Sequence, residues 1–218
     1  MRVVAMSNEG QLSMMRNMLN SAHKAGWPMH MFHCYILGDH KDAATYNTAE
    51  FQHVTLRKLE VILENLHLDR EVLWIDNDIV LFQNCIAEMR AIPGHFVMQD
   101  DLWGPCTGFF LVRAYPGAIR VLEKTIAYLK RQIGKSILND QHAFCNVYKT
   151  VIVTITNLLP QEEYPNGEIY FNQKKQSKAK MVHNNYLTTT AEKIERFKQF
   201  HLWNDDETVL QYVNRYAI

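Results

Sequence analysis

Four cysteines, Cys34, Cys85, Cys106 and Cys145, stand far apart in this 218-residue chain and form no Cys-x-x-Cys pair. That spacing argues against a zinc cluster and against a disulfide framework, and leaves the reduced thiols of a cytosolic protein. Long apolar runs are also missing. No segment approaches the ~20 apolar residues of a bilayer-spanning helix, and Arg2 to Met6 has the pattern of a first β-strand rather than of a signal peptide, so a soluble, cytoplasmic protein is expected. Net charge is absent too: 23 Lys+Arg balance 23 Asp+Glu, so no overall field draws the chain to nucleic acid or an anionic membrane. Any anionic substrate must be met by local groups. No linker and no internal repeat divides the chain, and apolar residues make up 47% of it, so one domain with an ample core is expected over residues 1–218.

What is present reads first as alternating strand and helix. Val3 to Met6 is β-like and ends in the polar loop Ser7-Asn8-Glu9-Gly10; Gln11 to Ala25 is a helix closed near Gly26. Phe32 to Leu37 is a second strand, Val54 to Leu66 a helix burying Leu56, Leu59, Ile62, Leu63 and Leu66, and Val72 to Ile75 a third strand. Repetition of β then α implies a mostly parallel sheet with right-handed crossovers and flanking helices. Beyond it, His95 to Gln99 and Thr107 to Val112 are strand-like and Pro116 to Gln132 is an amphipathic helix. Asn139-Asp140 stands as a cap before Gln141 to Asn146, Val151 to Thr156 is a β-branched strand, and Glu168 to Asn172 an edge strand. Glu192 to Phe200 and Glu207 to Tyr216 read as terminal helices.

The chemistry is concentrated where the third strand ends, in Leu73-Trp74-Ile75-Asp76-Asn77-Asp78. Asp-x-Asp alone is weak, since ten aspartates in this chain give about half a copy by chance. Its place is what matters. Ligands bind at the carboxyl ends of parallel strands, and two carboxylates there require a cation. In an extended chain both side chains point to one side about 7 Å apart, from the ~3.3 Å rise per residue, near enough to serve one divalent ion or its bound phosphates.

These residues, with Met98-Gln99-Asp100-Asp101, Thr107-Gly108-Phe109-Phe110-Leu111-Val112-Arg113, Asp140-Gln141 and Val182-His183-Asn184-Asn185, resemble the nucleotide-diphospho-sugar transferases of the GT-A fold over most of the chain. The likeness is strongest to the small DxD glycosyltransferase domains of large algal DNA viruses, where such a domain belongs to a longer polypeptide in some cases; a viral protein would work in host cytoplasm. The resemblance implies Mn²⁺ or Mg²⁺ held by Asp76, Asp78 and His183 against the diphosphate of a UDP-sugar, and a glycan or other hydroxyl acceptor. It further implies donor contacts from Met6, Ser7, Asn8, Arg57, Asn77, Thr107 and Gly108, and places Asp140 and Gln141 at the anomeric carbon, in the pattern of enzymes that retain configuration. Two carboxylates, an imidazole and diphosphate oxygens suit octahedral Mn²⁺. Two departures stand out: Cys106 replaces an expected Asn beside the sugar, and Tyr186 stands where the family's His-x-x-Gly-x-x-Lys ending has glycine.

Each of these residues also has a plainer role available. The aspartate pair caps turns elsewhere, Asp140 serves as an N-cap, and His183 is one of ten histidines. Asp100-Asp101 bind sugar hydroxyls or solvate a loop; Trp103 stacks on a sugar or packs inside. Lys174, Lys175, Lys178 and Lys180 fold over a diphosphate or form a solvated face. Met14, Met15 and Met18 fill the core. Two other functions compete: a haloacid-dehalogenase-type phosphohydrolase with Asp76 as nucleophile and Asp78 as acid or base, which lacks the later acidic motif that chemistry needs, and a non-catalytic sugar-nucleotide binding module.

Overall fold

The computed structural model describes residues 1–38, 48–136, 138–151 and 155–218. A seven-stranded sheet runs in the order β7-β5-β6-β3-β1-β2-β9. Its strands are β1 (Arg2–Asn8), β2 (Phe32–Leu37), β3 (Glu71–Ile75), β5 (Phe96–Asp100), β6 (Pro105–Arg113), β7 (Thr156–Leu159) and β9 (Asn214–Ala217). Only β6 runs against the rest, antiparallel to both β3 and β5. A separate two-stranded sheet pairs β4 (Ile79–Leu81) with β8 (Met181–His183), Ile79 opposite His183.

Alternation along the strands divides the core between the two faces. Val3, Ala5, Leu73, Ile75, Phe109 and Leu111 point to one side, where they meet Met15, Met18, Leu19 and Ala22 of α1 (Leu12–Lys24). Val4, Val72, Trp74, Phe110 and Val112 point to the other, under α2 (Ala49–Leu68), α4 (Pro116–Gln132) and α5 (Asp140–Tyr148). A third cluster joins Val80, Tyr170, Phe171 and Phe197, the last from α6 (Thr190–Gln199). A short helix α3 (Ile86–Ala91) follows β4.

Several expectations need correction. Glu168–Asn172 is a single π-helical turn, not an edge strand, because Asn166 Oδ1 accepts Ile169 N–H and Ile169, Tyr170 and Phe171 are all buried. The terminal helix is a 3₁₀ turn over Glu207–Tyr212 followed by β9, which satisfies the open edge of β2 in parallel register. The second helix begins earlier than expected, at Ala49, where the Thr48 hydroxyl accepts Phe51 N–H. Of the strand read at Val151 to Thr156, residues 152–154 lie outside the described residues, and β7 begins at Thr156. The basic stretch does not cover the cavity described below: Lys178 pairs with Glu162 and Lys180 with Glu88 and Glu163.

All four cysteines are free, and three are buried. Burial pushes the Cys34 and Cys85 thiols up to about 12, and the Cys106 and Cys145 thiols also rise. Thiolate is the reacting form, so a disulfide reagent at pH 8 should label at most Cys145 quickly in the native protein and all four thiols in denaturant. Two or more fast native thiols would mean the sheet faces are not closed as described.

Candidate active site

A cavity of about 520 Å³ opens at the carboxyl ends of β1 and β3. Because β6 runs antiparallel, its first residues lie at this same end: Ile75 pairs with Phe109, and Asp76 N–H donates to Gly108 C=O at 2.8 Å. Strand direction alone thus sets Thr107 and Gly108 against the first aspartate. The β4–β8 pairing does the same for the second. With Ile79 opposite His183, His183 Nε2 lies 3.2 Å from Asp78 Oδ1.

Asp76, Asp78 and His183 each turn one ligand atom into a space where all three lie within 4.8 Å of one another. Gly108 leaves that space open. A Cβ added there would lie 2.3 Å from His183 Cε1 and 2.9 Å from Asp76 Oδ2. On its far side, His183 Nδ1–H donates to Gln99 Oε1 at 2.9 Å, which fixes the ring with Nε2 facing the aspartates. Gln99 is held in turn, donating to Tyr164 C=O at 3.1 Å. The donor set therefore fits a hard divalent ion, with one imidazole, two carboxylates and room between them.

Two lysines serve the acids as well. Lys58 of α2 is buried, with Nζ 3.0 Å from Asp76 Oδ1 and 2.9 Å from Asp140 Oδ2, and it sits over the Trp74 ring. Trp74 Nε1–H donates to Asp76 Oδ1 at 2.6 Å. Lys193 of α6 reaches Asp78 Oδ2 at 2.6 Å. Burial opposes charge at Asp78, yet Lys193 and His183 hold its carboxyl well below the usual carboxylate range. Burial is also the largest influence on Asp76, and there it prevails over Lys58 and raises the carboxyl. His183 is lifted well above an ordinary histidine by Asp78 despite its burial, so a metal held here must displace that proton.

Asp140 and Gln141 open α5, and the cap is Asn139, whose Oδ1 accepts His142 N–H. That division leaves Asp140 in the cavity wall, accepting from Thr107 Oγ1 at 2.7 Å as well as from Lys58. The Gln141 carboxamide is fixed at both ends. Its Oε1 accepts Thr107 N–H at 3.3 Å and its Nε2 donates to Asp101 Oδ2 at 2.9 Å. Asp101 is a buried hub, its other oxygen accepting from Asn166, Asn185 and the Tyr186 hydroxyl. Asp100, by contrast, accepts from Gln161 at 2.9 Å.

The profile of the nucleotide-diphospho-sugar transferase family matches residues 15–197. The chain belongs to that family. It is 28% identical over 208 residues to the UDP-D-xylose:L-fucose alpha-1,3-D-xylosyltransferase MGP4 of Arabidopsis thaliana, a match spanning 83% of this chain and 58% of that relative. A UDP-galactose:fucoside alpha-3-galactosyltransferase of Dictyostelium discoideum is 26% identical over 214 residues, 81% of this chain and 33% of its own length. The chain thus spans little more than half of the first relative and a third of the second. Among solved structures, the galactosyltransferase LgtC in complex with donor and acceptor sugar analogues superposes with a TM-score of 0.65 at 11% identity, over 98% of this chain and 100% of that one. A glycosyltransferase involved in glycosylation of the major capsid of PBCV-1 gives a TM-score of 0.63 at 14% identity, over 91% and 100%. At such identities the likeness shows the fold, which is GT-A.

Within this member of the nucleotide-diphospho-sugar transferase family the residues singled out in the sequence do not all meet. Met6, Asp76, Asn77, Asp78, Thr107, Gly108, Asp140, Gln141 and His183 line the cavity. Ser7 and Asn8 are buried beneath it: Ser7 Oγ donates to Asn8 C=O, and the Asn8 side chain caps the following turn. Asn77 Nδ2 donates to Met6 C=O at 2.8 Å, tying the first-strand loop to the aspartates. Arg57 is the correction. It pairs with Glu60 and Glu64 and lines a different cleft, and its neighbour Lys58 carries the charge into the site. Sequence reasoning missed Lys58, Lys193, Gln99 and the Asn166–Asn185 pair. Lys58 had a signal: it falls four residues before Ile62 on the apolar stripe of α2, where a lysine needs a buried anion.

Among the described residues, no helix is long and apolar enough to cross a membrane.

Proposed function

We propose that this chain is a metal-dependent, retaining glycosyltransferase domain that moves a sugar from a UDP-sugar to a hydroxyl of a fucose-bearing glycan. The observation that carries the proposal is the Asp76–Asp78–His183 cluster with its opening beside Gly108, inside a family whose substrates are nucleotide-diphospho-sugars. Mn²⁺ or Mg²⁺ held by these three residues would neutralise the diphosphate as the sugar bond breaks. Family membership and the occupied state of Asp76, which accepts from Trp74 and Lys58, leave the phosphohydrolase alternative without support. The UDP-sugar and fucoside assignments rest on the relatives, one a xylosyl and the other a galactosyl transferase, both acting on fucose or a fucoside.

The chain's own residues divide the work. Lys193, extending from α6 to Asp78, is the cation placed to meet the donor phosphates, in a chain where Tyr186 interrupts the expected glycine-and-lysine ending. Asp140, held by Lys58 and Thr107, would bind donor hydroxyls, and the fixed Gln141 carboxamide would face positive charge developing at the anomeric carbon. Retention is supported by the acids themselves. Among the described residues, the carboxylates lining the cavity are Asp76, Asp78, Asp101 and Asp140, and each already accepts from at least two protein donors. None stands apart as a base for inverting attack, so the leaving diphosphate is the natural acceptor of the incoming hydroxyl's proton.

Calorimetric titration of UDP with and without Mn²⁺, into the native protein and Asp78→Ala, tests the donor site. Mn²⁺ should tighten UDP binding by at least about tenfold in the native protein and not in the variant. UDP-galactose or UDP-xylose should then be hydrolysed slowly without acceptor, which a mere binding module would not do. Metal-independent binding, equal in both proteins, would remove the donor-site assignment.

A further inference from the structure

Trp103 is 91% exposed at the rim of the cavity, whereas Trp27 and Trp74 are 3% and 1% exposed. An indole left in water at the mouth of a binding cavity is unusual, and its position is not slack. Its loop closes on itself, with Asp101 N–H donating to Gly104 C=O at 2.9 Å and Trp103 N–H to Asp101 C=O at 2.6 Å. The turn is bought with left-handed backbone at Leu102 (φ 61°) and at Gly104 (φ 134°), of which only the glycine takes it without strain.

The same cavity carries a second exposed aromatic, this one on strained backbone. Tyr186 also holds a left-handed φ of 63°, is 50% exposed, and donates its hydroxyl to Asp101 Oδ1 at 3.0 Å. Asp101 therefore anchors three things at once: the loop that presents Trp103, the ring of Tyr186, and the carboxamide of Gln141. Its carboxylate is fully used in doing so, accepting from Gln141, Asn166, Asn185 and Tyr186, and this part of the rim offers flat apolar faces rather than charge. Such a surface suits the C–H face of an uncharged sugar ring and offers nothing to an anionic headgroup or a phosphopeptide.

We propose that Trp103 and Tyr186 form the acceptor subsite, in which the apolar face of a neutral pyranoside stacks on the indole while one of its hydroxyls is presented beside Gln141. The proposal rests on the donor assignment above, since an acceptor binds productively only next to a filled donor site. It extends that assignment by naming the residues that select a sugar acceptor. The metal-side groups Asp78, His183 and Lys193 are left to the donor.

Because Trp103 is the one fully exposed indole, with Trp203 half-buried, acrylamide quenching of tryptophan fluorescence reads it directly. The experiment saturates the full chain with UDP and Mn²⁺, then titrates methyl α-L-fucoside, methyl β-D-galactoside and methyl α-D-mannoside. At least one glycoside should protect the indole saturably, and transfer from UDP-galactose or UDP-xylose to that glycoside should show an acceptor KM raised about tenfold or more in Trp103→Ala and in Tyr186→Ala. Trp103→Phe, which keeps an aromatic face, should recover most of the loss. Calorimetry of UDP with Mn²⁺ runs in parallel. If UDP binds but no glycoside protects the indole, or if Trp103→Ala leaves acceptor KM unchanged, the subsite is overturned while the donor site stands. If UDP itself fails to bind, the donor assignment falls and this proposal falls with it.

Discussion

Replacing Gly108 by alanine should lower glycosyl transfer by at least about 100-fold, although the new group is one methyl. The new Cβ would lie 2.3 Å from His183 Cε1 and 2.9 Å from Asp76 Oδ2. Carbon atoms rest at ~3.5 Å or more, so one side must give by about 1 Å, and a misplacement of that size costs ~10²-fold when it falls on reacting geometry. The imidazole cannot yield cheaply, because it is buried, held by Gln99 at 2.9 Å, and carried on a strand paired to β4. The substitution is not one of backbone conformation: Gly108 lies in β6 just past the end of β3, where the pairing with β5 shifts register, and has no left-handed φ. Far-UV circular dichroism should therefore be unchanged, while Mn²⁺ titration and turnover both fail. An alanine variant with native Mn²⁺ affinity and native turnover would show that the space between Asp76 and His183 is not where the chemistry lies.

How much of this site is visible in the sequence depends on whether a residue's position follows from its own strand or from another's. Asp76 and Asp78 are legible because an apolar run stops at them, and an apolar run that stops on two acids marks the carboxyl end of a buried strand. Thr107 and Gly108 are not placed by periodicity. They reach the site because β6 is reversed, and alternation looks the same in either direction. His183 depends on a three-residue strand pairing with another of three residues, too short for any pattern. Arg57 and Lys58 show the sharpest limit. Adjacent residues on a helix differ by about 100° in direction, so a misjudgement of one position turns a cation from the cavity to a different cleft. The C-terminal strand is illegible for the converse reason: Asn214–Ala217 is exposed and polar, and its conformation comes from the open edge of β2 rather than from its own residues.

Lys58→Met should separate the structural use of that charge from the metal's. In the native protein the buried ammonium lies between Asp76 and Asp140, within 3.0 Å of each, and removing it leaves two carboxylates facing one another without a counter-charge. Breaking a buried pair from one side costs ~3–5 kcal/mol, and methionine keeps the volume, so the loss is electrostatic rather than a cavity. For a chain of this size that lowers Tm by roughly 10 °C in the absence of metal. Mn²⁺ brings positive charge to Asp76 and binds the folded state alone, so it should restore stability to the variant and shift the native protein much less. Removing a cation beside a metal ligand should also tighten Mn²⁺ binding, by about tenfold or more for charges a few ångströms apart. Transfer should nonetheless fall, since Asp140 loses the group that fixes it beside Thr107. Tighter metal binding with weaker catalysis is the signature of a lysine that holds the empty site together and then orders the sugar-facing carboxylate. If thermal unfolding of the variant proves equal with and without Mn²⁺, the metal does not engage Asp76.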